Sequence, residues 1–460
     1  MATTQADEEA DTPVAVIGAG YVGLIQTVGL AAEGHHVTCL DIDEARIAML
    51  RDGRPPIHEA GLDALLARTL DTGTVRFTTD PADLASARVV FVAVGTPTDD
   101  RTGGADLSFL WSAAASVAAH GRDGVVLAVK STVPIGTCEW LQRHLDRTAP
   151  DKGIHVVSNP EFLREGRAVE DFAAPERIVL GGAHAPAVEA VRAVYAPFEA
   201  RGVPIVAGDW SSAETIKYAA NAFLATKITF INEIANLTEV MGGDIETVAR
   251  GIGLDSRIGD QFLRVGPGYG GSCFPKDSLA LATTARRHGV QQQILEAVIA
   301  VNDARRFRIL QTIRRLAARP LDEARIAILG LAFKAGTDDV RDSPALSLIH
   351  SLLAEGSDVR AYDPVARYDP EHSSYVQAAS VEDAATDADV IVVLTEWPEF
   401  AALDLAALGR VVRSRALYDL RLVLRGRRAD LAGWRVAFVG SRMEEGAEPA
   451  AHRPSPASLS

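Results

Sequence analysis

A glycine-rich turn near the start of the chain constrains the fold more than any other stretch. The apolar run Val14 to Ile17 leads directly into Gly18-Ala19-Gly20-Tyr21-Val22-Gly23, and a helical pattern then continues to Glu33. A second apolar run, His36 to Leu40, ends at Asp41. Glycines in such a turn permit a tight bend and close packing of the helix on the strand. The order strand, glycine turn, helix and strand predicts the first unit of a doubly wound α/β fold.

The same turn predicts a dinucleotide site. Glycine turns also join strands to helices in proteins that bind no ligand, so the prediction depends on the flanking strands and on Asp41. Asp41 lies near the spacing at which a carboxylate accepts hydrogen bonds from both ribose hydroxyls, and it would repel a 2′-phosphate. We therefore predict NAD, rather than NADP, as the cofactor.

Strand and helix patterns alternate along most of the chain. Buried strands are predicted at Arg88 to Val94, Val125 to Val129, His155 to Val157, Arg177 to Leu180 and Val203 to Val206. Helices are predicted at Ser211 to Met241, Ile245 to Ile252, Pro275 to His288 and Gln291 to Ala318. After Leu321 the alternation resumes, with a helix at Ser343 to Glu355 and strands at Arg325 to Leu329, Asp358 to Tyr362, Asp389 to Leu394, Ala416 to Tyr418 and Arg435 to Val439.

These patterns predict an α/β protein with two doubly wound Rossmann-like domains joined by a long central helix and a small helical segment. The predicted divisions are an NAD-binding domain at 13–210, a central helical segment at 211–318 and a second Rossmann-like domain at 319–442. Residues 1–12 and 443–460 are predicted to be disordered tails. The first turn of the second domain, Gly330 to Lys334, lacks the glycine fingerprint, so we expect no second NAD there.

Composition excludes several classes of function. The 460 residues are 47% hydrophobic and 23% charged, and no apolar stretch is long enough to span a membrane. A formal net charge of −15 opposes non-specific binding to nucleic acid. The acidic N-terminus lacks a signal segment, which predicts a cytoplasmic protein. Three cysteines without metal-like spacing predict reduced thiols and no metal site.

One cysteine lies in a stretch that predicts chemistry. Residues 266–277 read Gly-Pro-Gly-Tyr-Gly-Gly-Ser-Cys-Phe-Pro-Lys-Asp. Pro275 suits the start of a helix, which places Cys273 just before a helix N-terminus, where free N–H groups stabilise a thiolate. Asp277 follows about one helical turn later. The alternative is a small buried cysteine in a tight loop.

Polar residues elsewhere have a functional and a plain interpretation. Lys130 to Pro134 and Gly95 to Pro97 follow predicted strands, where ligands of parallel sheets bind, but each is also a possible connecting turn. The charged run Asn159 to Gly166 contains two carboxylates and an aromatic residue, and its plain interpretation is a solvated surface loop. Lys217 and Asn221 share one face of the long helix and are either anion donors or its solvated edge.

Taken together, these stretches resemble the nucleotide-sugar 6-dehydrogenases of the UDP-glucose/GDP-mannose dehydrogenase family. The similarity runs from about Pro13 to Gly440. It covers Gly-Ala-Gly-Tyr-Val-Gly (18–23), Lys-Ser-Thr-Val-Pro (130–134), Asn-Pro-Glu-Phe-Leu-Arg-Glu-Gly (159–166), Lys217 with Asn221, Gly-Gly-Ser-Cys-Phe-Pro-Lys-Asp (270–277), Gly-Leu-Ala-Phe-Lys (330–334) and Thr-Asp-Asp-Val-Arg (337–341).

The resemblance implies oxidation of a sugar C6 alcohol to an acid with two NAD per turnover, through a Cys273-bound thiohemiacetal and thioester. It implies catalytic roles for Cys273, Lys217, Asp277, Glu161, Thr132 and Asn221. The implied NAD contacts are Gly18, Gly20, Tyr21, Val22, Gly23, Asp41, Thr96, Pro97, Thr132, Glu165, Lys276 and Arg341. The implied UDP-sugar contacts are Glu161, Phe162, Leu163, Lys217, Asn221, Arg257, Phe262, Arg264, Tyr269, Gly270, Phe333, Lys334 and Arg421.

The resemblance also implies a homodimer, or a larger assembly built on dimers, with Arg257 reaching across its interface. The wording Cys-Phe-Pro-Lys-Asp favours UDP-glucose as the substrate. GDP-mannose and a UDP-N-acetylhexosamine are the nearest alternatives, and a two-electron hydroxy-acid dehydrogenase or a non-catalytic nucleotide-sugar sensor are more distant ones. The chain departs from the common Asp-Gly-Arg-Asn of the family with Asp419-Leu420-Arg421-Leu422. Leucine cannot copy a glycine turn at low cost, so the resemblance leaves the role of Arg421 open.

Overall fold

The computed structural model describes residues 13–99, 101–367 and 375–443, so both predicted tails lie outside it, apart from residue 443. The chain forms two compact units. The first contains the described residues up to Asn221 together with Lys276–Gln292, and the second contains Ala222–Pro275 and the described residues from Gln293 onward. The predicted domain boundaries themselves stay a prediction.

The first unit is built on an eight-stranded sheet of order β3-β2-β1-β4-β5-β6-β7-β8. Its strands are β1 Val14–Ile17, β2 Val37–Leu40, β3 Val75–Thr78, β4 Val89–Val92, β5 Val126–Val129, β6 His155–Ser158, β7 Ile178–Gly181 and β8 Ile205–Gly208. Neighbours are parallel except for β6 and β7, which pair antiparallel. The alternation of apolar runs with helices therefore predicted the doubly wound sheet, but not the reversed direction of its last two strands.

Helices cover both faces of this sheet. They are α1 Tyr21–Ala32, α2 Glu44–Arg51, α3 Leu62–Asp71, α4 Ser108–His120, α5 Thr137–Thr148, α6 Ala168–Ala173, α7 Ala185–Val194 and α8 Ala196–Ala200, with 3-10 turns at Pro81–Ser86 and Pro150–Lys152. Alternate residues of β1 enter different cores: Val14 and Val16 pack in one layer, whereas Ala15 and Ile17 pack in the other. Burial on both faces explains the continuous apolar runs of the central strands.

Strand β3 was missed by the sequence patterns because it lies at the edge of the sheet. Its sequence Val-Arg-Phe-Thr alternates, and Arg76 is exposed while Val75, Phe77 and Thr78 are buried. An edge strand pairs on one side only, so it need not be apolar throughout.

Long helices follow the first sheet. They are α9 Trp210–Met241, α10 Ile245–Gly253, α11 Phe274–Arg287 and α12 Gln293–Leu316. The 32-residue α9 begins in the first unit and continues in the second beyond Asn221. Cys273 directly precedes α11, as the sequence predicted.

The second unit contains a six-stranded, fully parallel sheet of order β11-β10-β9-β12-β13-β14. Its strands are β9 Arg325–Leu329, β10 Asp358–Tyr362, β11 Val376–Gln377, β12 Val390–Val393, β13 Ala416–Asp419 and β14 Arg435–Phe438. The accompanying helices are α13 Pro344–Ala354, α14 Val381–Ala385, α15 Pro398–Ala401 and α16 Leu405–Val411, with 3-10 turns at Leu321–Glu323 and Arg425–Leu431. The sequence missed β11, a two-residue edge strand.

The second sheet also has a core on each face, since Ile326 and Ile328 pack in one layer and Ala327 and Leu329 in the other. The predicted fold class, two Rossmann-like sheets with a long central helix, is confirmed. Within the described parts of the chain, no helix is both long and apolar enough to cross a membrane.

Candidate active site

The glycine turn between β1 and α1 has the geometry of a dinucleotide cradle. A Cβ on Gly18 would lie 2.6 Å from the Ala93 carbonyl oxygen, and one on Gly23 would lie 1.8 Å from the Gly18 carbonyl oxygen. Gly20 differs, because its φ of −73° suits any residue and nothing lies within 4 Å of its Cβ position. Gly20 caps α1 without a side chain, which leaves the helix N-terminus open to an anion. The turn therefore fits a pyrophosphate.

Asp41 lies at the end of β2 beside this turn. Its Oδ2 accepts a hydrogen bond from the Ala19 N–H at 2.6 Å and forms an ion pair with Arg46 Nη1 at 3.1 Å. Its Oδ1 accepts from the Asp43 N–H at 3.0 Å. These contacts hold the buried carboxylate in the position from which a ribose would be bound.

The corresponding turn of the second unit is closed. Asp363, at the end of β10, is fully buried, and its Oδ2 accepts the N–H groups of Leu331 and Ala332. A Cβ on Gly330 would lie 2.1 Å from Thr395 Oγ1. The side chain of Asp363 thus takes the backbone donors that a pyrophosphate would need.

A buried ion pair joins the loop after β6 to α9. Lys217 Nζ lies 2.8 Å from Glu161 Oε1, and the two side chains are 4% and 7% exposed. Glu161 Oε2 accepts the Leu163 N–H at 2.6 Å. Burial alone would raise the pKa of Glu161, but the charge and hydrogen bond of Lys217, the Leu163 N–H and the charge of Lys130 outweigh it and lower that pKa. Glu161 is therefore an ionised carboxylate.

A second buried carboxylate lies in the first turn of α11. Asp277 Oδ2 accepts from Asn221 Nδ2 at 2.6 Å, and its Oδ1 accepts from Lys276 Nζ at 2.7 Å. Lys276 Nζ also lies 3.5 Å from Thr96 Oγ1, which donates to the Thr132 carbonyl at 2.9 Å. The first unit therefore links five predicted site residues in one chain of contacts: Asn221, Asp277, Lys276, Thr96 and Thr132.

Phe162 is the aromatic side chain of the same loop as Glu161. The Arg177 guanidinium stacks 3.8 Å from the centre of its ring, and Lys217 Nζ lies 5.4 Å from that centre. Among the other predicted residues of the first unit, Leu163 and Glu165 are half-buried and Pro97 is exposed.

The thiol of Cys273 lies in the second unit. It is half-buried, and its Sγ is 3.5 Å from Ser272 Oγ. The two glycines before Cys273 approach neighbouring atoms too closely for any side chain. A Cβ on Gly270 would lie 2.3 Å from the Asp342 carbonyl oxygen. At Gly271, with φ of +83°, a Cβ would lie 2.9 Å from the Phe333 ring. This loop therefore has a fixed path.

Several predicted UDP-sugar residues lie around that loop in the second unit. Tyr269 is buried, and its ring packs edge-on against the Phe274 ring with the centroids 6.2 Å apart. The Phe262 ring also packs edge-on against Phe274, at a centroid distance of 6.1 Å. Arg421 Nη2 donates to the Phe333 carbonyl at 3.2 Å, and the guanidinium is close to Gly266. The structure therefore brings together Phe262, Tyr269, Gly270, Phe333 and Arg421 within this unit.

The other predicted cations of the second unit are more exposed. Arg257 pairs with Asp255 at 2.6 Å and Arg341 pairs with Asp339 at 2.7 Å. Arg264 is exposed, and the half-buried Lys334 lies over the Phe333 ring. These residues stay predictions as ligand contacts.

The turn around Arg421 has leucines where the family commonly has glycine and asparagine. Leu420 is fully buried and is absent from the left-handed region, whereas Leu422 has φ of +58°. Arg421 keeps a defined position because its Nε donates to the Leu394 carbonyl at 2.9 Å and pairs with Glu396 at 3.2 Å. The unusual backbone therefore lies one residue after Arg421 and leaves its side chain aimed at the Cys273 loop.

Three buried charged residues near this site were not among the individual site residues named from the sequence. Lys130 follows β5, Glu59 accepts the N–H groups of Gly166 and Ala168, and Glu214 accepts those of Gly136 and Cys138. Lys130 belongs to the run Lys-Ser-Thr-Val-Pro, so position after a buried strand was a usable signal. Glu59 and Glu214 carry no local signal, because their partners are distant in sequence.

Comparisons with known proteins identify the family of the chain. The chain matches three domain models of the UDP-glucose/GDP-mannose dehydrogenase family. Residues 12–199 match the NAD binding domain, residues 211–304 the central domain and residues 327–426 the UDP binding domain. The UDP-glucose 6-dehydrogenase of Rhizobium meliloti (strain 1021) is 45% identical over 432 residues, which cover 93% of this chain and 99% of that protein.

Two solved structures share the fold over most of the chain. A UDP-glucose dehydrogenase from Pyrobaculum islandicum has a TM-score of 0.83 at 35% identity, covering 93% of this chain and 98% of its own. A UDP-D-ManNAc dehydrogenase from Pyrococcus horikoshii has a TM-score of 0.83 at 27% identity, covering 93% and 99%. The fold alone therefore does not select the sugar.

The Rossmann sheet, its open glycine turn and Asp41 together define an NAD-dependent dehydrogenase. With all three of its domains matched, the chain belongs to the UDP-glucose/GDP-mannose dehydrogenase family. Gly18 to Gly23 and Asp41 are the residues that would hold the cofactor.

The two ends of the glycine turn predict different losses on substitution. Gly20→Ala should fold normally, because its Cβ meets no protein atom, but should lower NADH affinity about tenfold by filling space that the pyrophosphate needs. Gly23→Ala should lower both NADH affinity and the thermal unfolding midpoint, because its Cβ meets the Gly18 carbonyl. Fluorescence titration with NADH and thermal unfolding measure the two effects.

Gly251→Ala is the matched control, since its Cβ position is also open and Gly251 belongs to α10 of the second unit rather than to the glycine turn. It should leave NADH affinity unchanged. Wild-type NADH affinity in Gly20→Ala would show that the pyrophosphate does not approach this turn.

Proposed function

We propose that this chain oxidises the C6 alcohol of UDP-glucose to the carboxylate of UDP-glucuronate with two NAD. The observation that carries the proposal is the pair of buried carboxylates, Glu161 with Lys217 and Asp277 with Asn221 and Lys276. Both lie in the unit that contains the NAD turn. Cys273 precedes Lys276 and Asp277 by about one helical turn of chain, so connectivity limits its distance from them. The R. meliloti relative and the P. islandicum structure, both named for this sugar, support the substrate.

In the first oxidation the protein must handle one proton. Thr132 and Asp277 hold the water that receives the proton of the sugar 6-hydroxyl. Lys217 and Asn221 stabilise the alkoxide through donors that are already ordered. NAD⁺, when bound, accepts one hydride in each of the two oxidations.

The second oxidation needs the thiol. The Cys273 thiolate forms a C–S bond to the aldehyde carbon, which gives a thiohemiacetal, and loss of the second hydride leaves a thioester. Water then attacks the thioester carbonyl, the C–S bond breaks and the thiolate leaves. Glu161 accepts the proton of that water, for which its ionised state suits it. One sugar and one water therefore yield one acid and two NADH.

The UDP portion is assigned to the second unit, whose residues 327–426 match a UDP binding domain. Phe333, Lys334 and Arg421 would hold the nucleotide, and Arg257 and Arg264 would add the positive charge that the acidic chain lacks overall. The other substrates stay open to test: a UDP-N-acetylhexosamine is favoured by the P. horikoshii structure, and GDP-mannose by the family description. A cytoplasmic location likewise stays a prediction.

The proposal predicts two NADH per UDP-glucose consumed, because both oxidations occur before the sugar is released. NADH absorbance measured against limiting sugar gives the ratio. A ratio near one would instead indicate a two-electron dehydrogenase, and no NADH with UDP-glucose but turnover with GDP-mannose or a UDP-N-acetylhexosamine would identify another sugar. Binding without any turnover would indicate a sensor.

Cys273→Ser should abolish UDP-glucuronate formation while NADH affinity stays within about twofold, because a serine hydroxyl is a far weaker nucleophile than a thiolate and cannot form the thioester. Product is measured by chromatography of the nucleotide sugars. Cys138→Ser is the matched control, because that thiol is buried in the core layer of the first unit that contains Ala15 and Ile17, and it carries no proposed chemistry. Wild-type acid production by Cys273→Ser would remove the covalent step from the mechanism.

We also propose that the protein is a homodimer built along α9. The second-unit part of this helix exposes apolar residues at seven-residue intervals, Phe223, Phe230 and Leu237, followed by Val240 and Met241, each half or more exposed. A heptad stripe on a long helix is the pattern by which helices pair, and a single copy leaves it in water.

Phe230→Glu should convert the dimer to a monomer, because it places a charge in the middle of this stripe. Light scattering after size-exclusion chromatography measures the mass. Phe109→Glu, at an exposed phenylalanine of α4 outside the stripe, should leave the dimer intact. A wild-type monomer, or a dimeric Phe230→Glu, would contradict the assignment.

A further inference from the structure

Lys130 is a buried lysine at the end of β5, where it is 8% exposed. Its Nζ donates to Tyr195 Oη at 3.2 Å and to Asn159 Oδ1 at 3.4 Å. Asn159 follows β6, the neighbouring parallel strand, and comes two residues before Glu161. Lys130 therefore contacts the start of the loop that carries the proposed water-activating carboxylate.

The polar groups around Lys130 form a connected network. Tyr195 Oη donates to Asn159 Oδ1 at 2.7 Å and accepts from Gln26 Nε2 at 3.0 Å. Asn159 Nδ2 donates to the Val179 carbonyl at 2.9 Å. Each of these donors has an acceptor, so Asn159 can adopt only one orientation while Lys130 is in place.

The two acceptors of Lys130 Nζ, Tyr195 Oη and Asn159 Oδ1, are both neutral, so other groups must balance the ammonium charge. The charged side chains that act on Lys130 are Glu161, which stabilises its charged form, and Lys217, which opposes it. A buried cation of this kind is tolerated only near an anion. Glu161 thus faces two lysines: Lys217 in direct contact and Lys130 from the adjacent strand.

We infer that Lys130 is a positioning residue for Glu161, which clamps Asn159 at the base of the loop and, together with Lys217, keeps the Glu161 carboxylate ionised for thioester hydrolysis. The inference rests on the proposed function, because that function assigns the hydrolytic water to Glu161. It adds a charge that acts on the site through Asn159 and Glu161.

The direction of the pH effect follows from the charges. Burial is the main reason that the pKa of Lys130 falls to about 8, with Glu161 opposing that fall and Lys217 adding to it. Below about pH 8 Lys130 is therefore a cation, and its charge lowers the pKa of Glu161. Removing the charge should raise the pKa of Glu161. As the pH is lowered, Glu161 should then be protonated, and activity lost, at a higher pH than in the wild type.

The test compares Lys130→Gln with Lys130→Arg in the full-length protein. Gln keeps a donor for Tyr195 and Asn159 but loses the charge, whereas Arg keeps the charge. In Lys130→Gln the acid limb of the kcat profile should move up by about one pH unit, with KM for UDP-glucose and NAD within about twofold. The thioester should also accumulate on Cys273, which intact-protein mass spectrometry detects. Lys130→Arg should return the limb to the wild-type position.

Controls separate the possible failures. Lys152→Met removes a lysine of the same unit outside this network and should leave the profile unchanged. Lys130→Met, which leaves no unpaired donor, should give the same shift if Lys130→Gln folds poorly, as judged by thermal midpoint and NADH affinity. An unshifted limb in a folded, neutral variant, or a shift that Arg does not reverse, would overturn the inference.

The wild type tests the proposed function separately. Two NADH per UDP-glucose with an unshifted Lys130→Gln limb would overturn the role of Lys130 alone. A ratio near one would overturn the proposed function, and with it the step on which Lys130 is said to act.

Discussion

The buried ion pair between Glu161 and Lys217 is the interaction on which the first unit's polar cluster depends. Two charges at 2.8 Å with almost no solvent contact cost desolvation on both sides, and their attraction offsets that cost only when the geometry is held. The Leu163 N–H fixes one carboxylate oxygen and α9 fixes the lysine. Removal of either partner would leave an unpaired buried charge. The loop that carries Glu161 and the helix that carries Lys217 must therefore keep their relative positions.

The first turns of α9 serve as the frame for this cluster. Glu214, Lys217 and Asn221 recur at helical spacing and are all buried, so one face of the helix presents three polar groups to the first unit. Glu214 holds the N-terminus of α5 through the Gly136 and Cys138 N–H groups, and burial raises the pKa of its carboxyl. The same helix later exposes an apolar stripe. Its first half therefore orders a buried polar cluster, and its second half has a surface suited to association.

The two Rossmann-like sheets show how one side chain decides whether a turn can bind a dinucleotide. Asp41 and Asp363 occupy matching positions after the second strand of their sheets. Asp41 accepts one turn N–H and leaves the Gly20 end of α1 open, whereas Asp363 accepts two and is fully buried. A backbone donor that is already satisfied gains little from a phosphate. One turn therefore retains its donors for the cofactor and the other uses them internally.

Much of this protein could be predicted from the sequence because its signals are local. Continuous apolar runs predicted the central strands within one or two residues, the run Gly18 to Gly23 predicted the tight turn between β1 and α1, and the long stripe after Ser211 predicted α9. The edge strands β3 and β11 and the reversal at β7 were missed, since edges bury one side and strand direction depends on how distant segments pair.

The site divides in the same way. The residues Glu161, Lys217, Asn221, Cys273 and Asp277 could be named from motifs, but their partners could not. The structure pairs Lys217 with Glu161, and it pairs Asp277 with Asn221 and Lys276. The contacts of Glu59, Lys130 and Glu214 likewise came only from the tertiary structure. Sequence determines which groups the chain carries and the local elements that hold them. Which charges share a low-dielectric interior depends on contacts between residues far apart in the chain, and only the folded structure decides these.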